Sequence, residues 1–241
     1  MTNNNSLQMA LNFPCRPSLG REDFMVAECN IDAVKAIDMW PQWPYFAICL
    51  SGDAGCGKTH LANVFAQRVA CETSKPYRIP FVKAQSLNRE LVNQVYESSH
   101  QIVIEDLQEL KNQEALFHLY NTYRDMGGNI LFTSEVAPAR INFSLADLRS
   151  RMNIVPIYEI KKPDDELLMA LLLKLFNDRQ INPSPELLNY LLSNMQRSFA
   201  YARKLVEEID NISLERKRAV SVAIAREAIN YLNSDSQFNL F

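Results

Sequence analysis

YFAICLSGDAGCGKTH, residues 45–60, decides how this chain is read. An apolar run of strand length, Tyr45 to Leu50, passes directly into Gly52, Gly55 and Gly57, three of the six glycines in 241 residues. Unbroken apolar character over that length is expected of a strand covered on both faces. Leu61, Val64, Phe65 and Val69 then recur at helical spacing from Lys58 to Cys71. The local order is strand, glycine loop, helix.

In that setting Gly52-Asp53-Ala54-Gly55-Cys56-Gly57-Lys58-Thr59 fits the pattern G-x-x-x-x-G-K-[ST]. The glycines let backbone N–H groups turn toward phosphates, Lys58 brings a point charge to the outer ones, and the Thr59 hydroxyl suits a magnesium ion carried by the nucleotide. ADP or ATP with Mg2+ is the expected cofactor, and His60 completes the binding stretch. A glycine-rich turn without a ligand is the plain alternative. Strand, spacing and helix together speak against it.

Outward from the loop, the pattern repeats. Tyr77–Ala84 is a second strand candidate, followed by a helix through Leu87 to Val95. IVIEDL, from Ile102, is a third, and it ends in Glu105 and Asp106, acids placed to hold magnesium and orient water. A helix with Leu116, Phe117 and Tyr120 on one face stops at Gly127-Gly128, NILFTS forms a strand over 129–134, and Ile157–Ile160 another. Strands alternating with helices predict an α/β fold with a parallel sheet covered on both faces.

From Pro163 the pattern becomes wholly helical. Pro163 with Asp164, Asp165 and Glu166 opens a helix that continues through Leu167 to Phe176. Ser184-Pro185-Glu186 caps a second, Ser198 a third, and Ser221–Leu232 makes a fourth. The expected organisation is a leader over 1–20, a nucleotide-binding base over 21–162 and a helical lid over 163–241.

The formal net charge of -3 and pI near 5.7 exclude broad adhesion to a phosphate backbone. Cys15, Cys29, Cys49, Cys56 and Cys71 are odd in number and form no C-x-x-C pair, as expected of reduced thiols in a cytoplasmic protein. His60, His100 and His118 lie far apart, so no metal is assigned to protein ligands alone. No membrane span or signal peptide is read from the sequence.

GDAGCGKTHLA (52–62), EALFHLYNTYRDMGGNILFTS (114–134) and LADLRSRM (145–152) together resemble the DnaA group of AAA+ ATPases. The similarity runs from about Arg21 to the helical end. Within that group the chain looks most like the Hda subgroup of initiation regulators. On this resemblance the chain is expected to end with the lid, whereas an initiator carries a further DNA-binding helix-turn-helix domain. The resemblance implies a P-loop AAA+ three-layer sandwich followed by the lid. Glu105 departs from the group, which usually has aspartate there, and this bears on hydrolysis by the chain itself.

The same resemblance implies roles for three further residues. Ser134 occupies the place of a sensor for the terminal phosphate, with the sequence departing again at Glu135. Arg151 matches an arginine finger presented to a neighbouring subunit, with Arg149 left open as the alternative. Such a finger accelerates phosphoryl transfer by about 10³ to 10⁵. Arg197 matches the lid's sensor arginine, with Arg203 as the fallback.

In the leader, QMALNF resembles the hexapeptide that partners of the bacterial sliding clamp insert into it: Leu11 and Phe13 would fill apolar pockets and Gln8 would orient the peptide. The bland alternative is an N-terminal strand lying on the domain. Trp40 and Trp43 are read as core packing rather than the floor of an adenine pocket. ERKR, Glu215–Arg218, is read as a solvated turn between helices rather than a DNA contact.

The leading expectation is a clamp-tethered, nucleotide-bound regulator whose Arg151 promotes ATP hydrolysis by the initiator DnaA. Any contact with DNA is indirect or weak, and self-association stays open. The rivals are a self-sufficient ATPase such as a helicase loader, and an initiator-like DNA-binding module.

Overall fold

The computed structural model describes residues 24–72 and 79–238. Five strands form one parallel sheet: β1 (Ala47–Ser51), β2 (Phe81–Lys83), β3 (Gln101–Glu105), β4 (Asn129–Ser134) and β5 (Ile157–Glu159). Their spatial order is β2-β3-β4-β1-β5. β4 therefore lies between β1, which feeds the glycine loop, and β3, which ends in the acids. Ser51 pairs with Ser134, and Ile104 with Phe132.

Alternation along the strands divides the core. Ala47, Cys49, Ile102, Ile104, Ile130 and Phe132 face α3 (Arg89–Ser98), α4 (Gln113–Asp125) and α5 (Ala146–Asn153). Ile48, Leu50, Val103 and Leu131 face α1 (Ile31–Asp38) and α2 (Lys58–Glu72). Because both faces are covered, the strands carry unbroken apolar runs. Three layers result, as the alternating pattern predicts.

The C-terminal helices share a separate core. α6 (Asp165–Asn177), α7 (Pro185–Asn194), α8 (Phe199–Arg216) and α9 (Val222–Phe238) bury Leu168, Leu172, Phe176, Leu191, Leu205, Ile209 and Ala225 against one another. The first three start on capping side chains: Asp164 accepts from Leu167 N–H, Ser184 from Leu187 N–H and Ser198 from Tyr201 N–H. Among the described residues no helix is long and apolar enough to cross a membrane.

Several boundaries differ from the sequence reading. The Tyr77–Ala84 strand is only Phe81–Lys83 and passes into a 3-10 turn, residues 73–78 lying outside the description. The strand through IVIEDL ends at Glu105, because Asp106 adopts φ 57 in the left-handed region and starts another 3-10 turn. α9 begins one residue later than Ser221 and continues past Leu232 to Phe238. α1 and α5 have no counterpart in the sequence reading, each being eight residues long. α5 buries only Leu148 and Met152, too few positions to establish a period.

Candidate functional site

The loop after β1 wraps tightly because its glycines occupy positions a side chain cannot. At Gly52, φ is 153 and a Cβ would stand 2.3 Å from Ile160 O. At Gly55, φ is 74 and a Cβ would meet Ser198 Oγ at 2.6 Å, so the loop presses against the start of α8. Gly55 O accepts from Ala200 N–H at 3.3 Å, which joins the two directly.

Lys58 opens α2 and is 7% exposed. Its Nζ donates to Gly52 O at 2.6 Å and Asp53 O at 2.9 Å. These backbone acceptors offset the cost of burying an ammonium and hold its charge inside the loop's curve. Cys56 is buried beside it, and burial raises its thiol pKa against the opposing pull of Lys58. Burial pushes Cys49, deeper in β1, up to about 12. The described cysteines Cys29, Cys49, Cys56 and Cys71 are unpaired, and Cys15 lies outside the described residues.

The acids arrive from β3. Thr59 Oγ1 donates to Glu105 Oε1 at 2.9 Å, so hydroxyl and carboxylate already share one spot. Asp106 turns away: its carboxylate lies 3.9 Å from Lys83 Nζ, and its N–H donates to Thr133 Oγ1 at 3.2 Å. Among the described residues no three His, Cys, Asp or Glu side chains gather around a metal position. The donor set suits magnesium brought in by phosphates, with Thr59 and Glu105 nearest and Asp106 beside them.

A pocket of about 420 Å³ opens over the loop. Ala54, Gly55, Gly57, Lys58, Thr59 and His60 line it from the loop side, with Asp106 and Glu135 behind them. The opposite wall is apolar: Phe24, Met25, Leu171 and Phe199, with Ala200 and Arg203. Phe24 meets the His60 ring edge-on at 5.1 Å. Size and lining fit a nucleotide, with phosphates at the loop and base between apolar side chains.

Ser134 and Arg197, assigned to this site, are not among the residues lining the pocket, and neither are Gly52, Asp53, Cys56 and Glu105. Ser134 is fully buried and donates to Gln108 Oε1 at 3.1 Å, while its neighbour Glu135 lines the pocket. Arg197 is exposed and pairs with Asp165 on α6 at 2.9 Å. Arg203, one turn into α8, lines the pocket instead. Phe24, Met25, Leu171 and Phe199 were not read as site residues. The available signal was the spacing of Phe199 and Arg203, which places both on one face of a helix that starts at Ser198.

Trp40 and Trp43 pack, as read from the sequence. Trp40 is buried and donates from Nε1 to Asn129 Oδ1; Trp43 stacks on Phe65 at 5.0 Å and donates to Ala36 O. The ERKR turn joins α8 to α9, with Lys217 in the left-handed capping position and Arg216 paired to Glu227. Gln8, Leu11 and Phe13 lie outside the described residues.

Arg151 sits at a second place, on α5. Its guanidinium stacks over Phe117 at 4.5 Å and donates to Asn121 Oδ1. It is half-buried in a groove with Phe46, Tyr120, Arg124, Asp147, Ser150 and Ile154. Burial raises the Tyr120 pKa, with Arg151 pulling the other way. Arg149 is exposed on the same helix. Neither arginine lines the nucleotide pocket.

Residues 20–157 match the family of the bacterial DnaA ATPase domain. The chromosomal replication initiator protein DnaA of Caldanaerobacter subterraneus subsp. tengcongensis is 24% identical over 249 aligned positions, covering 96% of this chain and 56% of that protein. This chain thus spans little more than half of that relative. Domain III of the Thermotoga maritima replication initiation protein DnaA superposes with a TM-score of 0.78 at 21% identity, over 90% of this chain and 98% of that one. AMPPCP-bound DnaA from Aquifex aeolicus gives 0.69 at 22%, over 84% and 69%. These likenesses establish the AAA+ fold.

Proposed function

Because the chain belongs to the bacterial DnaA ATPase domain family, we propose that it is a nucleotide-bound AAA+ regulator of replication initiation of the Hda type. An adenine nucleotide with Mg2+ occupies the pocket between the glycine loop and the helical lid, a reading supported by the similarity to an AMPPCP-bound DnaA from Aquifex aeolicus. Lys58 neutralises the outer phosphates. Thr59, Glu105 and Asp106 serve the cation, and Arg203 reports the nucleotide to the lid. The leader peptide Gln8–Phe13 tethers the protein to the sliding clamp, and Arg151 is delivered to ATP held by the initiator DnaA.

The observation that carries this reading is the placement of Arg151. A finger meant for a partner's nucleotide has to lie off its own pocket, retain its charge and be partly accessible. Arg151 meets these requirements: among the described residues its partners are an amide and aromatic rings, not carboxylates. The decisive assay follows hydrolysis of DnaA-bound ATP on clamp-loaded DNA with wild type, Leu11→Ala and Arg151→Ala. Both variants are expected to lose the stimulation, by about 10³-fold for Arg151→Ala. Equal rates for all three proteins would defeat the proposal.

The Thr59–Glu105 contact favours a second reading, a self-sufficient ATPase such as a helicase loader, since it keeps a carboxylate at the cation position. Steady turnover by the isolated chain, abolished by Lys58→Ala, would support that reading instead. An initiator-like DNA-binding module has less behind it, because the chain is acidic overall.

A further inference from the structure

Where β3 and β4 end, backbone pairing gives way to a stitch of side chains. The ladder between them runs from Gln101 and Asn129 to Ile104 and Phe132. Past it, Asp106 leaves in the left-handed region and its N–H reaches Thr133 Oγ1 at 3.2 Å. The next rung is Gln108: its Oε1 accepts from Ser134 Oγ at 3.1 Å and from the Glu135 backbone N–H at 3.0 Å. Thr133 and Ser134 are both buried, so their hydroxyls depend on these partners.

The two loops so joined each contribute an acidic residue to the pocket lining, Asp106 from one and Glu135 from the other, whereas Gln108 itself does not line it. An uncharged carboxamide therefore fixes the backbone of Glu135, and with it where that negative group stands relative to Lys58 and Thr59. Added negative charge on a ligand is felt most by such groups, since charge repulsion in a partly enclosed site falls off slowly with distance. The second and third phosphates of a nucleotide differ in just that respect.

We propose that Gln108 is a positioning residue that sets how the pocket distinguishes a triphosphate from a diphosphate. It does so by holding the Ser134–Glu135 turn against the loop that carries Asp106. Without it, Glu135 is free to swing toward the outermost phosphate, and a ligand lacking that phosphate is little affected. This deepens the nucleotide-binding reading and rests on it.

The test titrates the full chain with Mg-ADP and with Mg-AMPPCP, in wild type and Gln108→Met, which keeps the side-chain length and removes the acceptor. AMPPCP binding is expected to weaken by about tenfold and ADP binding to stay within about twofold, a change in ratio that general loosening would not produce. Equal weakening of both ligands, or no change in either, overturns the proposal. Should the methionine variant not fold, Thr133→Val removes the other rung at similar volume and is read the same way. Lys58→Ala separates the premises: if it binds both nucleotides as tightly as wild type, the nucleotide reading itself fails and this inference with it.

Discussion

The two walls of the nucleotide pocket are built by opposite means. The phosphate wall is mostly backbone: glycine N–H groups, a lysine folded into its own loop and a threonine beside a strand-end acid, all but Glu105 within one short stretch. The opposite wall is side chains only, brought together from Phe24 before the first helix, Leu171 on α6, and Phe199 and Arg203 on α8. Backbone chemistry demands particular residues at fixed spacing. An apolar wall demands only shape, which many sequences satisfy.

The contrast can be broken most sharply at Lys58. Lys58→Ala is expected to weaken adenine nucleotide binding by about 100-fold, the upper range for a charge-assisted contact, while the far-UV spectrum is retained. A fluorescent-nucleotide titration measures it. An unchanged affinity would mean that the loop is not the phosphate site.

The apolar wall is expected to respond less, and without regard to phosphate number. Phe199→Ala should weaken ADP and AMPPCP alike by about tenfold, through lost stacking area. On the same helix Arg203→Ala should weaken binding by a comparable factor, whereas Arg197→Ala, which breaks only an exposed pair with Asp165, should change affinity by less than about twofold. The reverse order for the two arginines would restore Arg197 as the lid's nucleotide contact.

The smallest effect is one of pH. Cys49 is raised from 9.0 to about 12 by burial, so the folded chain holds a proton that the unfolded chain releases. The sign follows: this stability is fully present below pH 9 and is lost as pH rises from there toward the folded value. Thermal midpoints should be flat from about pH 7 to 8.5 and fall at pH 10, and Cys49→Ala should reduce that alkaline slope. An unchanged slope in the variant would assign the alkaline loss to other groups.

Legibility followed the same division. Gly52 to Thr59 stood out in the sequence because few folds place a lysine and threonine behind three glycines at the end of a buried strand. The three-layer sheet was legible for a similar reason, since unbroken apolar runs such as Ala47–Leu50 and Ile102–Ile104, alternating with helical patterns, are what strands covered twice require. Phe24 and Phe199 were not legible, because an apolar residue beside a pocket and one inside a core look alike in a sequence. Arg197 and Arg203 flank the start of α8, and only the helix's orientation decides which faces inward. Ser134 sits on the strand expected of it, but its hydroxyl is bound by Gln108, a long-range partner that no local pattern announces.

The junction between Gly55 and the first turn of α8 has a mechanical consequence. That helix has 18 residues, so it extends about 27 Å from the point where Ala200 touches the phosphate loop. A tilt of about 10° at that fulcrum, shared by the lid helices packed on α8, would carry the far tip through about 5 Å. A small displacement of the glycine loop would thereby translate into a shift of several ångströms at the far end of the lid.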